Sequence, residues 1–164
     1  CLKIKCFRGS SNDVLQRFSD CAKLYEGDLI VRITADDPLI DVDLLDKVIQ
    51  TCKKTKCDFA STAINSGYPL GYFIEAVTQS TLEWLNKTQR DLLSREHVTY
   101  YIKQNLNSFI VQNIRPSDSL SRPNWRLSID YPEDFSLMSK IFEKLYKKYD
   151  ENFFTMASAY QKIS

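Results

Sequence analysis

The sequence predicts an α/β domain with a mainly parallel sheet flanked by helices, and three observations support this fold class. Short apolar runs of strand length alternate with amphipathic stretches of helical spacing. Two of the runs, 28–33 and 125–130, lead into aspartates that are followed by a proline. The 164 residues contain no internal repeat, so we expect a single domain over 1–164.

The first half of the chain is predicted to alternate strands with helices. The predicted strands cover 2–7, 28–33 and 57–62. Residues 28–33 are mostly aliphatic or β-branched, which is typical of a parallel strand buried on both faces. The helices between the strands are expected to begin after a capping residue among 10–12 and after Asp41.

The second half has a more mixed pattern. Its predicted strands cover 71–77, 109–115 and 125–130, and its predicted helices cover 80–87, 94–105, 132–149 and about 153–163. The helix over 132–149 has the strongest signals, because Pro132 fits its first turn and Lys147 and Lys148 suit the dipole at its end. We therefore expect helices on the faces of one sheet.

Composition limits the partners and the compartment. Twenty-two basic and 21 acidic residues nearly cancel, which gives no support for binding nucleic acid or an anionic membrane surface. We find no apolar run of membrane-spanning length and no signal-peptide layout at the start. The five cysteines lack close pairs typical of a zinc site, so we expect reduced thiols in a cytoplasmic protein.

Aspartates follow two of the predicted strands. Asp36 and Asp37 come after 28–33, and Asp130 ends 125–130 just before a proline-started helix. Because ligands of α/β folds gather beyond the carboxyl ends of strands, these carboxylates could share one Mg²⁺, which prefers oxygen ligands. They could equally be caps of the helices that follow, a common role of aspartate, and spacing alone favours caps.

Five segments together resemble the sugar-activating cytidylyltransferases. They are FRGSSNDVLQRF, VRITADDPLID, YPLGYFIEAV, REHVTYYI and RLSIDYPEDFSLMSKIFE, in that order along nearly the whole chain. The chain is most similar to the branch of spore coat polysaccharide biosynthesis protein F, and the CMP-Kdo and CMP-sialic acid synthetases are more distant. The resemblance implies a nucleotide-diphospho-sugar transferase-like (Rossmann-like) fold.

The resemblance also implies an activity and a cofactor. Members of this family transfer CMP from CTP to a sugar hydroxyl with Mg²⁺, largely by positioning and charge neutralisation. Asp36 and Asp130 match the family's catalytic, metal-binding carboxylates, and Asp37 is a further candidate beside them. Arg8, Gly9 and Ser10 match a turn near the base and ribose, although an ordinary helix-starting loop explains this turn equally well.

The acceptor sugar is expected to face residues 68–75 and 95–101. Glu75 could accept hydrogen bonds from sugar hydroxyls, and Arg95 or His97 could pair with an acidic or phosphorylated group. The alternatives are a structural histidine and a solvated helix face. Because members of the family commonly pair, we expect the aromatic-rich region of 71–77 and 95–102 to be where a homodimer would form.

The sequence also departs from the family pattern. The family's first segment, a strand and a glycine-containing loop whose Arg and Lys hold the triphosphate, has no counterpart here. We therefore expect this chain to be the C-terminal portion of a longer enzyme and a poor catalyst alone. Leu70, Phe73 and Tyr100 replace residues typical of the branch. A non-catalytic binding or assembly module, or an enzyme for another nucleotide, stays open.

Overall fold

The computed structural model describes residues 4–149, and within them four strands form one sheet. The strands are β1 (Leu29–Arg32), β2 (Phe59–Ser61), β3 (Glu75–Thr78) and β4 (Val111–Asn113), in the order β1-β3-β2-β4. β3 runs antiparallel to β1 and β2, whereas β2 and β4 are parallel. β1, β2 and β4 therefore share one direction and β3 is inserted against them.

Six α-helices flank this sheet in the described part of the chain. They are α1 (Val14–Leu24), α2 (Val42–Thr55), α3 (Gln79–Thr88), α4 (Leu92–Glu96), α5 (Tyr100–Gln104) and α6 (Pro132–Tyr149). Two short 3₁₀ turns, Leu106–Ser108 and Asp118–Leu120, lie in the second half. The predicted α/β class with flanking helices is thereby confirmed. The sheet is mixed rather than mainly parallel, because two of its three strand pairings are antiparallel.

Helix starts follow local capping chemistry. The Asp41 carboxylate accepts a hydrogen bond from the Leu44 amide at 2.9 Å, as predicted for α2. α1 is capped one residue later than expected, because Asp13 rather than a residue of 10–12 accepts from the Gln16 amide at 2.9 Å. Ser10 instead accepts from the Asp13 amide and so supports the turn before the cap.

Two apolar cores lie on opposite faces of the sheet. Neighbouring strand residues point to opposite faces, so Ala60 belongs to one core and Phe59 to the other. The first core joins α2 and α6 to the sheet, and the second joins α1, α3 and α5. The molecule is thus a sheet between two helical layers, which leaves the strand ends open for a site.

Three predicted elements differ in the structure. Residues 4–7 are not a strand, and 125–130 makes only an isolated bridge between Leu70 and Arg126. An alternating pattern permits a strand but supplies no neighbouring strand to pair with. The predicted helix over 94–105 is divided between α4 and α5, because Val98 takes a left-handed φ of 38°. The helix predicted over 153–163 lies outside the described residues.

The loop before β3 is clamped to the loop before α6. The Leu70 amide donates to the Trp125 carbonyl at 3.0 Å, and the Leu127 amide donates to the Leu70 carbonyl at 2.7 Å. Gly71 makes this approach possible with a φ of 107°, since a Cβ there would lie 2.5 Å from the Leu127 backbone. The clamp fixes the 126–130 loop beside the sheet.

A last feature concerns the hydropathy of the helices. Within residues 4–149, every helix is too short or too polar to cross a membrane.

Candidate functional site

The sheet topology gathers strand ends at one edge. β1 and β3 pair Arg32 with Glu75, β2 and β3 pair Ser61 with Glu75, and β2 and β4 pair Ser61 with Asn113. The carboxyl ends of β1, β2 and β4 therefore lie beside the amino end of β3. This is the edge at which α/β folds bind their ligands. Asp36 lies in the loop that leaves this edge after β1.

Asp36 is held against the loop that carries Asp130. The Ile129 amide donates to the Asp36 carbonyl at 2.8 Å, and the Ser128 hydroxyl donates to the Asp36 carboxylate at 3.1 Å. Partial burial raises the pKa of Asp36, but hydrogen bonds from Thr34 and Ser128, together with the charge of Arg32, bring it below its ordinary value overall. Asp36 therefore presents an ionised carboxylate whose position is fixed by the neighbouring loop.

Asp37 lies deeper than Asp36. Its residue is 8% exposed, and the Thr34 hydroxyl donates to its carboxylate at 2.9 Å. Burial is the main cause that raises the pKa of Asp37, and repulsion from the Asp36 and Asp130 carboxylates raises it further. The Asp37 carboxylate thus lies within electrostatic range of both Asp36 and Asp130.

Asp130 is exposed and paired with an arginine. The Arg126 guanidinium contacts the Asp130 carboxylate, and its Nε lies 3.2 Å from both oxygens of Asp134. Asp134 also accepts from the amides of Asp130 and Tyr131 at 3.0 Å, so it caps the start of α6. The residue that caps α6 is thus Asp134 and not Asp130, for which the sequence left a capping role open, because the Asp130 carboxylate contacts Arg126 instead.

The carboxylate oxygens of Asp36 and Asp130 are of the kind that a magnesium ion prefers as ligands. Asp36 and Asp130 supply carboxylate oxygens from two joined loops, and Mg²⁺ is usually held by one or two carboxylates with water and phosphate oxygens. Among residues 4–149, no group of three His, Cys, Asp or Glu side chains is arranged to hold a metal ion. A cation there would therefore depend on ligands besides this chain's carboxylates.

The predicted base-side turn lies in the loop before α1. Arg8, Gly9 and Ser10 are exposed, and Arg17 donates to the Ser10 carbonyl at 2.7 Å. A mainly apolar cavity of about 370 Å³ opens beside this loop, between α1 and β1, and Phe7 lines it. The geometry gives the turn an adjacent cavity, and contact with a nucleotide stays a prediction.

Glu75 lies on the sheet edge but is buried. Its residue is 2% exposed, and its carboxylate accepts from Arg32 at 3.1 Å, Lys103 at 2.9 Å and the Thr99 hydroxyl at 2.7 Å. These contacts satisfy the buried charge and tie β1, β3 and the segment before α5 together. Glu75 lies at this sheet edge with its oxygens already occupied, and its contact with an acceptor sugar stays a prediction.

Arg95 and His97 are placed differently from each other. Arg95 donates through Nε to Asp13 at 3.0 Å and through Nη1 to the Asn86 carbonyl at 3.1 Å, so it joins α4 to α1 and α3. His97 is exposed at the end of α4. The described contacts do not bring either side chain to the aspartates, and their contact with an acceptor stays a prediction.

Sequence reasoning missed three residues of this site. Ser128 orients Asp36 by a hydrogen bond, and Arg126 pairs with Asp130. Arg32 forms an ion pair with Glu75, and its positive charge also contributes to lowering the pKa of Asp36. The spacing of Arg126 and Asp130, four residues apart, was the available signal for that pair. The hydrogen bonds from Ser128 to Asp36 and from Arg32 to Glu75 span more than 40 residues, so local patterns do not indicate them.

Comparison with known proteins agrees with this architecture. The family model described as cytidylyltransferase matches residues 1–160. A solved cytidylyltransferase from Leptospira borgpetersenii superposes with a TM-score of 0.87 and 30% identity, covering 96% of this chain and 64% of that chain.

Two curated proteins are also similar. An uncharacterized protein of Methanocaldococcus jannaschii is 40% identical over 149 residues, which is 91% of this chain and 58% of that protein. The spore coat polysaccharide biosynthesis protein SpsF of Bacillus subtilis is 31% identical over 147 residues, which is 88% of this chain and 60% of SpsF. The chain thus spans about three fifths of the length of these relatives.

Proposed function

Because this chain belongs to the cytidylyltransferase family, we propose that it is part of an enzyme that transfers CMP from CTP to a sugar hydroxyl and releases pyrophosphate. The relative SpsF is named for polysaccharide biosynthesis. We propose that the activated sugar made by this enzyme is likewise used to build a polysaccharide. The observation that supports the proposal most is the joining of the Asp36 and Asp130 loops at the strand ends.

In this proposal Asp36 and Asp130 hold Mg²⁺, which supplies neutralisation of the charge on the phosphates. Ser128 orients the Asp36 carboxylate by its hydrogen bond, so less reorganisation is needed when the ligands bind. Although burial raises the pKa of Asp36, hydrogen bonds from Thr34 and Ser128, with a smaller contribution from the charge of Arg32, lower it overall. The sugar hydroxyl attacks the α-phosphorus, the bond to the β-phosphate oxygen breaks, and pyrophosphate leaves.

The acceptor sugar is proposed to face the segment that precedes Glu75. Leu70 and Phe73 are partly buried there, in the segment before Glu75. Apolar side chains in place of carboxylates remove acceptors for hydroxyl groups, so we propose an acceptor with fewer hydroxyls facing this segment. Arg95 would meet an acidic or phosphorylated group only after giving up its contacts with Asp13 and the Asn86 carbonyl, whereas His97 is exposed at the end of α4.

We also propose a cytoplasmic homodimer. Four described cysteines, at positions 6, 21, 52 and 57, are free thiols. Trp84, Tyr101 and Phe109 form a cluster with ring centroids 5.7–6.3 Å apart, and Trp84 is 44% exposed. Partly exposed aromatic residues are enriched in protein interfaces, so this cluster is our candidate dimer contact.

The test is stabilisation of the purified protein by CTP with Mg²⁺. At 100 times the dissociation constant, a ligand of the folded state adds about 2.7 kcal/mol, which raises the melting temperature by about 5 to 10 °C. Asp36→Asn should abolish this shift, because the amide is a poorer Mg²⁺ ligand than a carboxylate. Asp46→Asn on the exposed face of α2 is the matched control and should keep it.

The alternative function is a binding or assembly module without catalysis. The pairing of Asp130 with Arg126 favours it, because a neutralised carboxylate needs no metal. If CTP and Mg²⁺ leave the melting temperature of both the native protein and the Asp46→Asn variant unchanged, the module is supported and the transferase proposal fails.

A further inference from the structure

Arg126 is a cation inside the candidate site that the proposed reaction does not yet use. Its guanidinium contacts the Asp130 carboxylate, and its Nε lies 3.2 Å from a carboxylate oxygen of Asp134. The guanidinium carbon lies 5.3 Å from the centre of the Tyr131 ring. The side chain is 38% exposed. Arg126 is therefore accessible to a ligand at the edge where the Asp36 loop is hydrogen-bonded to the loop that carries Asp130.

The two acids that hold Arg126 are not equivalent. Asp134 is fixed by the backbone amides of Asp130 and Tyr131, and its side chain is only 13% exposed. Asp130 is 47% exposed, and among the described side-chain contacts its carboxylate is held by Arg126 alone. Loss of the Asp130 contact would thus leave Arg126 anchored through Nε, with its Nη groups turned toward the site.

A divalent cation and Arg126 compete for the same carboxylate. Each is positively charged, and Asp130 has one charge to share between them. A guanidinium released from a carboxylate finds an equivalent partner in a phosphate, which presents the same arrangement of oxygens. The chemistry of the site therefore links metal binding to phosphate binding.

We propose that Arg126 is a phosphate-binding residue that Asp130 holds until a divalent cation takes that carboxylate, after which the guanidinium binds phosphate oxygens of the nucleotide. This inference rests on the proposed nucleotidyl transfer for the identity of the phosphate, but not for the exchange itself. Arg126 would then add to the charge neutralisation that the cation supplies at the phosphates.

The first experiment titrates Mn²⁺ alone and reads bound metal by electron paramagnetic resonance. Arg126→Gln should bind Mn²⁺ about threefold tighter than the native protein, because an exposed ion pair with Asp130 no longer competes. Arg115→Gln removes the same charge from an exposed position outside the pair and is the matched control. Equal affinities for Mn²⁺ in the two variants would overturn the exchange.

The second experiment titrates pyrophosphate in the absence of metal by calorimetry. Asp130→Asn should bind it about threefold tighter than the native protein, because Arg126 is released. Adding Arg126→Gln to Asp130→Asn should remove this gain. If the double variant keeps the gain, the loss of the Asp130 charge explains it, and Arg126 is not the phosphate-binding residue.

These readouts separate the inference from the proposed function. Stabilisation by CTP with equal Mn²⁺ affinities in Arg126→Gln and Arg115→Gln would keep the transferase and reject the exchange. The expected Mn²⁺ and pyrophosphate results without any stabilisation by CTP would keep the exchange and reject CTP as the nucleotide. Failure of both sets of measurements rejects both.

Discussion

At the scale of single residues, a buried carboxylate at the sheet edge is neutralised by two cations near the site. Glu75 pairs with Arg32 on β1 and Lys103 on α5. Burying a lone carboxylate is costly, and two cations with the Thr99 hydroxyl offset that cost. Arg32 also contributes to lowering the pKa of Asp36. Glu75 therefore positions an arginine whose charge favours the ionised form of a site carboxylate.

Glu75→Gln is expected to lower the free energy of unfolding by about 2 to 4 kcal/mol, because two partly buried cations lose their carboxylate. Urea unfolding followed by circular dichroism measures this change. Glu96→Gln, on an exposed position of α4, should change the same quantity by less than about 0.5 kcal/mol. An unchanged stability with weaker binding of an acceptor sugar would instead support direct substrate contact.

At the scale of secondary structure, Asp13 and Arg95 join two helices. Asp13 caps α1 through the Gln16 amide, and Arg95 on α4 donates to its other oxygen. Slight burial raises the pKa of Asp13, but the hydrogen bonds from Arg95 and Gln16 and nearby positive charge bring it below its ordinary value overall. One carboxylate therefore both starts a helix and positions a second one.

This pair predicts a pH dependence of stability. Because the folded pKa of Asp13 is lowered, its contribution is complete above the ordinary value of about pH 4 and is lost as the pH falls through the folded pKa. Arg95→Gln should lower the free energy of unfolding at pH 7 by about 1 kcal/mol, and should reduce its acid dependence below about pH 4.

Urea unfolding at pH 7 and at several values below pH 4 measures the Arg95 effect, with Arg115→Gln as the exposed control. A variant at Arg95 that keeps its stability and its acid dependence, but raises the Michaelis constant for an acceptor, would contradict the structural role. It would instead support the substrate contact that the sequence predicts.

At the scale of the whole molecule, the 70–71 loop and the 125–128 loop hold the site together. Their backbone hydrogen bonds bring Ser128 to Asp36, which lies 92 residues earlier in the sequence. Gly71 permits the contact, because any Cβ there would collide with the Leu127 backbone. The site therefore depends on a contact between segments distant in sequence.

Gly71→Ala is expected to lower the free energy of unfolding by about 3 kcal/mol or more, since both the positive φ and the close backbone exclude a side chain. It should also weaken Mn²⁺ binding by displacing the Ser128 loop. Gly27→Ala is the matched control, because its Cβ would lie 4.0 Å from the Ala22 carbonyl, and its stability should change by less than about 1 kcal/mol. Equal unfolding midpoints in the two variants would contradict the clamp.

The sequence by itself indicated the α/β class, and it placed four helices, α1, α2, α3 and α6, correctly or nearly so. Those signals are local: Asp41 caps α2, and Pro132 starts α6. It also indicated that Asp36 follows β1, because an apolar run and the aspartate after it are adjacent along the chain. These features depend on residues a few positions apart.

Tertiary structure alone decided how those elements meet. β3 lies antiparallel between β1 and β2, and 125–130 pairs with Leu70 at one bridge instead of forming a strand. Asp36 meets Ser128, and Glu75 meets Lys103, over long sequence separations. A linear pattern states which backbone conformation a segment favours, whereas the partner of each edge and each charge is decided by packing of the whole chain.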